Sequence, residues 1–289
     1  MKYYILFNPL AGHGDHNEQL DSLEALLDGE CIRNDVRDIE DYPAFLQAMD
    51  EDDKIVLCGG DGTINRFANN ADTDSVKNDI LYYAIGTGND FLHDIDGAEL
   101  GKPIKINEYL KELPTVEVKG KTYKFINGIG YGIDGYCCEV GDKIKETSDK
   151  PVNYASIAIK GLLFHYKRTA ATVTVDGVTH EYKKVWLAPV MNGRYYGGGM
   201  KMAPDQDRLN KDHLLSSVVL HHSGKLKTLL VFPSIFKGEH TSHTEMVDIH
   251  TGKEITVKFD KPTALQIDGE TVLDVTEYTV RAAVTADIT

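Results

Sequence analysis

Ile55-Val-Leu-Cys-Gly-Gly-Asp-Gly-Thr63 is the stretch that decides how this chain folds. Four apolar residues without a charge read as a buried strand, and three glycines set around Asp61 follow at once. Residues 64–70 can open a helix, so a strand-to-helix turn leaves backbone N–H groups facing outward where no side chain stands in the way. Bare amides and the helix dipole favour an anion, and phosphate is the anion that needs so close an approach. Gly60 is therefore expected on the approach path of phosphate. Asp61 is the odd residue, because a carboxylate repels phosphate unless it binds a cation or orients a water, as Mg²⁺-dependent phosphoryl transfer requires. A plain tight turn is the alternative, although it does not need glycines on both sides of Asp61.

Working outward, short apolar runs at 3–7, 55–58 and 81–85 alternate with amphipathic runs at 19–27, 42–49 and 63–70. A weaker strand signal lies at 31–36. This order predicts an α/β domain, doubly wound, with a mostly parallel sheet and helices on both faces. Two more small-residue turns follow strands: Asn8-Pro9-Leu10-Ala11-Gly12-His13-Gly14 and Gly86-Thr87-Gly88-Asn89-Asp90-Phe91. Ligands of open parallel sheets sit at the carboxyl ends of the strands, so the three turns converge on one crevice. There is no GxxxxGK[ST] and no GxGxxG after a strand, which excludes P-loop and NAD-type dinucleotide sites. From Thr115 onward the pattern becomes short β-like runs at 115–118, 123–129, 172–175, 178–182, 185–191, 215–221, 254–259, 264–267 and 278–284. Asp176-Gly177 is a strong hairpin signal between two of them. Helical stretches at 153–166 and 225–236 interrupt the strands. The expected division is an α/β nucleotide-binding domain over 1–122 and a β-rich, mainly antiparallel domain over 123–289.

The 289 residues suit two domains, and 42% hydrophobic against 26% charged residues is the balance of a folded chain with a sizeable core. Lys and Arg total 31 against 45 acidic residues, a net charge of −14 that opposes nucleic-acid binding. Cys31, Cys58, Cys137 and Cys138 form no repeated CxxC pair, and a reducing cytosol is the simplest compartment. The opening apolar run is too short for a signal peptide. The nearest thing to a membrane span, 155–164, is broken by Lys160 and falls well short of roughly 20 residues. Ten acidic residues crowd 28–53 and read as a solvated face. The segment 151–168 joins apolar residues to Lys160, Lys167 and Arg168. Burial is its ordinary reading, and a membrane surface the alternative. His240, His243 and His250 lack the frame of a zinc site.

In order and spacing, Asn8-Pro9-x-x-Gly12, Gly59-Gly-Asp-Gly-Thr-Ile-Asn65 and Gly86-Thr-Gly-Asn-Asp-Phe91 resemble the catalytic motifs of the diacylglycerol kinase and sphingosine kinase superfamily, and most of all the bacterial lipid kinases of YegS/DagK type. Asn127-Gly-x-Gly-x-Gly-x-Asp134, Asn192-Gly-x-Tyr-x-Gly-Gly-Gly199 and Gln266-x-Asp-Gly-Glu270 extend the similarity over nearly the whole chain. The resemblance implies an ATP-dependent kinase whose active site lies in the cleft between the domains. Asn8, Pro9, Leu10, Ala11, Gly12, Gly59, Gly60, Asp61, Gly62, Thr63, Ile64, Asn65 and Thr87 would hold ATP, with Asp61 also joining a water and Mg²⁺ network. Asp268 or Glu270 would take the proton from the hydroxyl of diacylglycerol or a related lipid. Read alone, Asp268-Gly269 favours a plain hairpin turn, with the pair of carboxylates on one extended edge as the alternative. Two departures stand out. Arg66 replaces a common Glu, and His213 replaces Gly in a second-domain cation loop, where Asp212 and the carbonyls near Leu209 and Leu214 would be the ligands. The implied partner is a membrane lipid reached peripherally from the cytoplasm, with a homodimer left open. A kinase of a soluble substrate such as NAD, or a nucleotide-binding regulator without turnover, are the alternatives.

Overall fold

The structure, a computed structural model, describes residues 1–9, 16–85, 88–147 and 152–283. It divides into two compact units, Met1–Leu113 and Pro114–Thr289. The division falls before the 122/123 boundary read from sequence because the strands at 115–124 pair within the second unit's sheet.

In unit 1 the order is β1 (Lys2–Phe7), α1 (Asn17–Glu24), β2 (Glu30–Asp35), α2 (Tyr42–Gln47), β3 (Lys54–Gly59), α3 (Asp61–Asn70), β4 (Asp79–Ala84), α4 (Asp90–His93) and β5 (Ile104–Lys105). The sheet runs β2-β1-β3-β4-β5, parallel except for β5. Ile55, Val56, Leu57 and Cys58 of β3 are all buried, as a central parallel strand covered on both faces must be. β2 is an edge strand and carries charge instead. Its Arg33 reaches Asp21 at 2.5 Å and Glu24 at 2.6 Å on α1, which is why its sequence signal is weak.

Unit 2 contains β6 (Thr115–Val118), β7 (Lys121–Lys124), β8 (Gly128–Tyr131), α5 (Ile133–Thr147), α6 (Tyr154–Lys160), β9 (Thr169–Val175), β10 (Val178–Val185), β11 (Val190–Met191), β12 (Leu215–Leu220), α7 (Lys225–Val231), β13 (Val247–Gly252), β14 (Glu254–Ile267) and β15 (Glu270–Arg281). The order β13-β12-β11-β8-β14-β15-β6-β7 is antiparallel, with β9 on β14 and β10 on β9. Asp176 and Gly177 turn the β9–β10 hairpin with φ of 47° and 83°, the left-handed pair such a turn demands. The runs at 254–259 and 264–267 are one long strand, β14, bent by register shifts between Lys258 and Leu265. The run at 123–129 is broken, and its middle residues turn their amides elsewhere.

The helix α5 carries apolar residues at Ile133, Cys137, Val140 and Ile144, but its glycines disguise it as loop. Those glycines let it lie close on its neighbours. A Cβ on Gly135 would stand 1.9 Å from the Ala264 carbonyl oxygen of β14, whereas one on Gly141 would meet only the outer ring of Tyr154. Alanine at a helical glycine ordinarily stabilises by about 1 kcal/mol. Here Gly135→Ala is expected to cost about 3 kcal/mol or more in urea unfolding, because backbone has to move. Gly141→Ala is expected to change stability by less than about 1 kcal/mol.

Candidate active site

Each glycine at the end of β3 answers a different constraint. The Gly59 carbonyl accepts from Ile85 N at 3.0 Å and from the Tyr82 hydroxyl at 3.1 Å, and a Cβ there would collide with Thr63 at 2.1 Å. Gly60 lies against the next turn, since its Cβ would stand 2.6 Å from the Gly88 carbonyl oxygen. This corrects the expectation that Gly60 clears a path for phosphate; its missing side chain lets two turns of the same unit touch. Gly62 is exposed, and among the described residues a Cβ on it would meet nothing within 4 Å. Gly62 is thus the glycine of the three with no described neighbour against its Cβ position at the start of α3.

Asp61 is buried and acts as a brace. Its N–H donates to Gly88 O at 3.0 Å, and its carboxylate oxygens accept from Asp90 N at 2.8 Å and Phe91 N at 3.0 Å. A charged acceptor on two successive amides at the start of α4 satisfies donors that a short helix leaves unpaired. Ile64 is fully buried in the core, so its side chain is no nucleotide contact. Asn65 receives the Asn69 amide at 3.0 Å on its carbonyl oxygen and at 3.2 Å on its side chain. Arg66 reaches the Val36 carbonyl at 3.4 Å. Asn8 and Pro9 follow β1, while Leu10, Ala11, Gly12 and Thr87 lie outside the described residues.

In unit 2 the Asp268-Gly269 pair is a turn with φ of 45° and 98°, not an extended edge. The Asp268 carboxylate accepts three consecutive amides, Ile126 at 2.6 Å, Asn127 at 2.8 Å and Gly128 at 3.0 Å, which is what interrupts the expected strand at 123–129. Asn127 in turn accepts the amides of Asn192 at 2.9 Å and Gly193 at 3.0 Å on its carbonyl. The Arg208 guanidinium donates to Ile126 O at 3.2 Å and Asn127 Oδ1 at 3.0 Å. The three glycine motifs of this unit therefore meet in one knot of loops. Arg208 is its missed member; it sits in the loop read for a cation, with no motif around it to single it out. Glu270 opens β15 just beyond the turn and is exposed. With Asp268 engaged by backbone, Glu270 is the carboxylate of the pair that the turn leaves at the surface.

The loop read as a cation site is closed by side-chain amides. Leu214 O already accepts from Gln206 Nε2 at 2.8 Å and Asn210 Nδ2 at 3.0 Å, and Asp207 Oδ1 caps Leu209 N at 2.9 Å. His213 takes the left-handed conformation, φ 53°, at the position where glycine was expected. A carbonyl that faces two N–H donors does not suit a cation, and among the described residues no group of three or more His, Cys, Asp or Glu is placed to hold one. Of the expected ligands Asp212, Leu209 and Leu214, the Leu214 carbonyl is therefore already engaged by side-chain amides.

Asp134, at the start of α5, is buried. Tyr196 donates to its Oδ2 at 2.6 Å while Oδ1 has no hydrogen-bond partner. Burial pushes its pKa up to about 6, against the pull of the Tyr196 hydroxyl and nearby amides. A carboxyl that keeps its proton when folded and releases it when unfolded subtracts stability as pH rises from about 4 to about 6. Asp134→Asn is expected to remove that loss, gaining about 2–3 kcal/mol relative to the parent between pH 4 and 7 in denaturant titrations. Parallel pH profiles for the two proteins would contradict it.

Comparison with known proteins agrees with this architecture. Residues 2–119 match the diacylglycerol kinase catalytic domain, and residues 127–284 match the YegS C-terminal NAD kinase beta sandwich-like domain. The chain is 23% identical to the Bacillus subtilis protein named "Putative lipid kinase YtlR" over 93% of both sequences. It is 26% identical to a diacylglycerol kinase of Mycobacterium tuberculosis over 90% of this chain and 85% of that one. A diacylglycerol kinase crystal structure from Bacillus anthracis shares the fold with a TM-score of 0.60 at 20% identity, covering 98% of this chain and 94% of that one. With its α/β unit matching the catalytic domain and its β-rich unit the YegS C-terminal domain, the chain belongs to the diacylglycerol kinase family of YegS/DagK type.

Proposed function

We propose that this protein transfers the γ-phosphoryl group of ATP to the hydroxyl of diacylglycerol or a closely related lipid. The observation that carries the reading is the division among the motif carboxylates: Asp61 and Asp268 are held by backbone amides, while Glu270 is exposed beside the braced turn. ATP would lie at the carboxyl ends of β1, β3 and β4, its phosphates against Gly62 and the first amides of α3. Glu270 would accept the proton as the lipid oxygen bonds to the γ-phosphorus and ADP leaves. Mg²⁺ would enter as part of the nucleotide complex rather than from a resident site. The protein's contribution is then positioning and charge, the ordinary share in phosphoryl transfer. Names of relatives aligned along most of their length support a lipid acceptor. Among the described residues no helix is long and apolar enough to cross a membrane. A lipid acceptor would be met peripherally, from the cytoplasm.

The test is γ-labelled ATP with Mg²⁺ and either detergent-dispersed diacylglycerol or NAD. Label in a phospholipid is expected. Label in NAD alone would favour the soluble-substrate reading, and nucleotide binding without transfer to any lipid would favour the regulator. Gly62→Val is expected to weaken ATP binding about tenfold or more without lowering the unfolding midpoint, since its Cβ enters open space. Gly60→Val is expected to lower the midpoint, because that side chain meets the Gly88 carbonyl. Unchanged ATP affinity in Gly62→Val would remove phosphate from the start of α3.

A further inference from the structure

Two helical segments of unit 2 combine a run free of acids with large exposed apolar residues. Residues 152–168 and 223–238 contain no Asp or Glu, in a protein with 45 of them, yet carry Lys160, Lys167, Arg168, Lys225, Lys227 and Lys237. The first forms α6 and a π-turn, Gly161–His165; the second forms α7 and a 3₁₀ segment, Phe232–Lys237. They pack on one another. Leu162, Val231 and Ile235 are buried in a shared cluster, and Lys225 Nζ donates to Leu163 O at 2.5 Å.

The side chains next to that bond point outward. Phe164 is 75% exposed, Leu226 71% and Leu230 74%, making them the most exposed large apolar residues among those described. Leu226 and Leu230 are four residues apart, one turn of α7, so they share a face. Buried partners lie beneath them, so this is a finished surface rather than an uncovered core. Lys160, Lys167 and Lys225 are exposed in the same two segments, while Lys227 is paired with Glu245 at 2.6 Å. Large exposed apolar side chains on elements that also carry exposed lysines and no acids match the interface of an anionic bilayer: the apolar groups enter the acyl boundary and the cations stay at the headgroups. A second copy of this acidic chain gives no comparable reason for the missing carboxylates.

We propose that α6–α7, through Phe164, Leu226 and Leu230 with Lys160, Lys167 and Lys225, is the surface by which this protein docks on anionic lipid bilayers. The inference deepens the lipid-kinase reading and rests on it for its purpose, since a bilayer-resident acceptor has to be met at the bilayer. Its test does not need turnover. The full chain is sedimented with vesicles of phosphatidylcholine alone or mixed with phosphatidylglycerol. Binding to the mixed vesicles, lost at high salt, is expected. The double variant Phe164→Ser, Leu230→Ser should bind about tenfold or more weakly, as two large apolar groups no longer leave water. Lys225→Gln should cost about fivefold. Both should keep the parent's unfolding midpoint and its transfer to detergent-dispersed diacylglycerol. Absence of binding to anionic vesicles, or full binding by the double variant, would overturn the proposal. So would sedimentation velocity showing a dimer that the double variant dissociates. Vesicle binding by a protein that phosphorylates no lipid would instead leave the docking surface standing and sink the kinase reading.

Discussion

A carboxylate from one glycine turn, closed on consecutive backbone amides of another, is the interaction on which both units depend. Asp61 does this to Asp90 and Phe91, and Asp268 to Ile126, Asn127 and Gly128. Amides at the ends of strands and short helices have no ladder partner, and leaving them dry and unpaired costs on the order of 1–3 kcal/mol each. An ionised acceptor satisfies several at once and fixes the distance between turns. The glycines around each aspartate allow the approach: Gly60 against Gly88 in unit 1, and Gly269 with its positive φ in unit 2.

This reassigns the chemistry within the motifs. The aspartates that look most catalytic hold backbone amides, and under the proposed reading the residues left for ligands would be Gly62 and Glu270. The loop at 206–214 follows the same logic. Gln206 and Asn210 supply N–H donors to Leu214 O, and Arg208 supplies a guanidinium to the Asn127 turn, so this chain meets the loop's polar needs with its own side chains. The lysines of the α6 and α7 segments stand beside exposed apolar groups in a chain of net charge −14.

How much of this could be read beforehand depended on whether the signal was local. The central strand β3 and its turn were legible because burial on both faces demands an unbroken apolar run. The hairpin at Asp176-Gly177 was legible because few residues accept positive φ. Helix α5 was not, since Gly135 is explained only by Ala264, remote in sequence. The break between β7 and β8 was hidden for the same reason: its cause is Asp268, about 140 residues on. Of the segment 151–168, Ile157 and Leu162 are buried as an apolar helix face usually is, but Phe164 is not, and periodicity could not separate them. Nor could the sequence separate Asp268 from Glu270, because the amides that engage Asp268 lie about 140 residues before it.

The central claim, that Asp268 builds and Glu270 reacts, is tested most directly by measuring phosphoryl transfer and unfolding side by side in Asp268→Asn and Glu270→Gln. The account expects Glu270→Gln to lose about a hundredfold or more in rate with an unchanged unfolding midpoint, since the residue is exposed. It expects Asp268→Asn to lose about 2 kcal/mol or more of stability, because an amide cannot accept all three N–H groups as a carboxylate does. A Glu270→Gln enzyme at full rate beside a stable but inactive Asp268→Asn would contradict it.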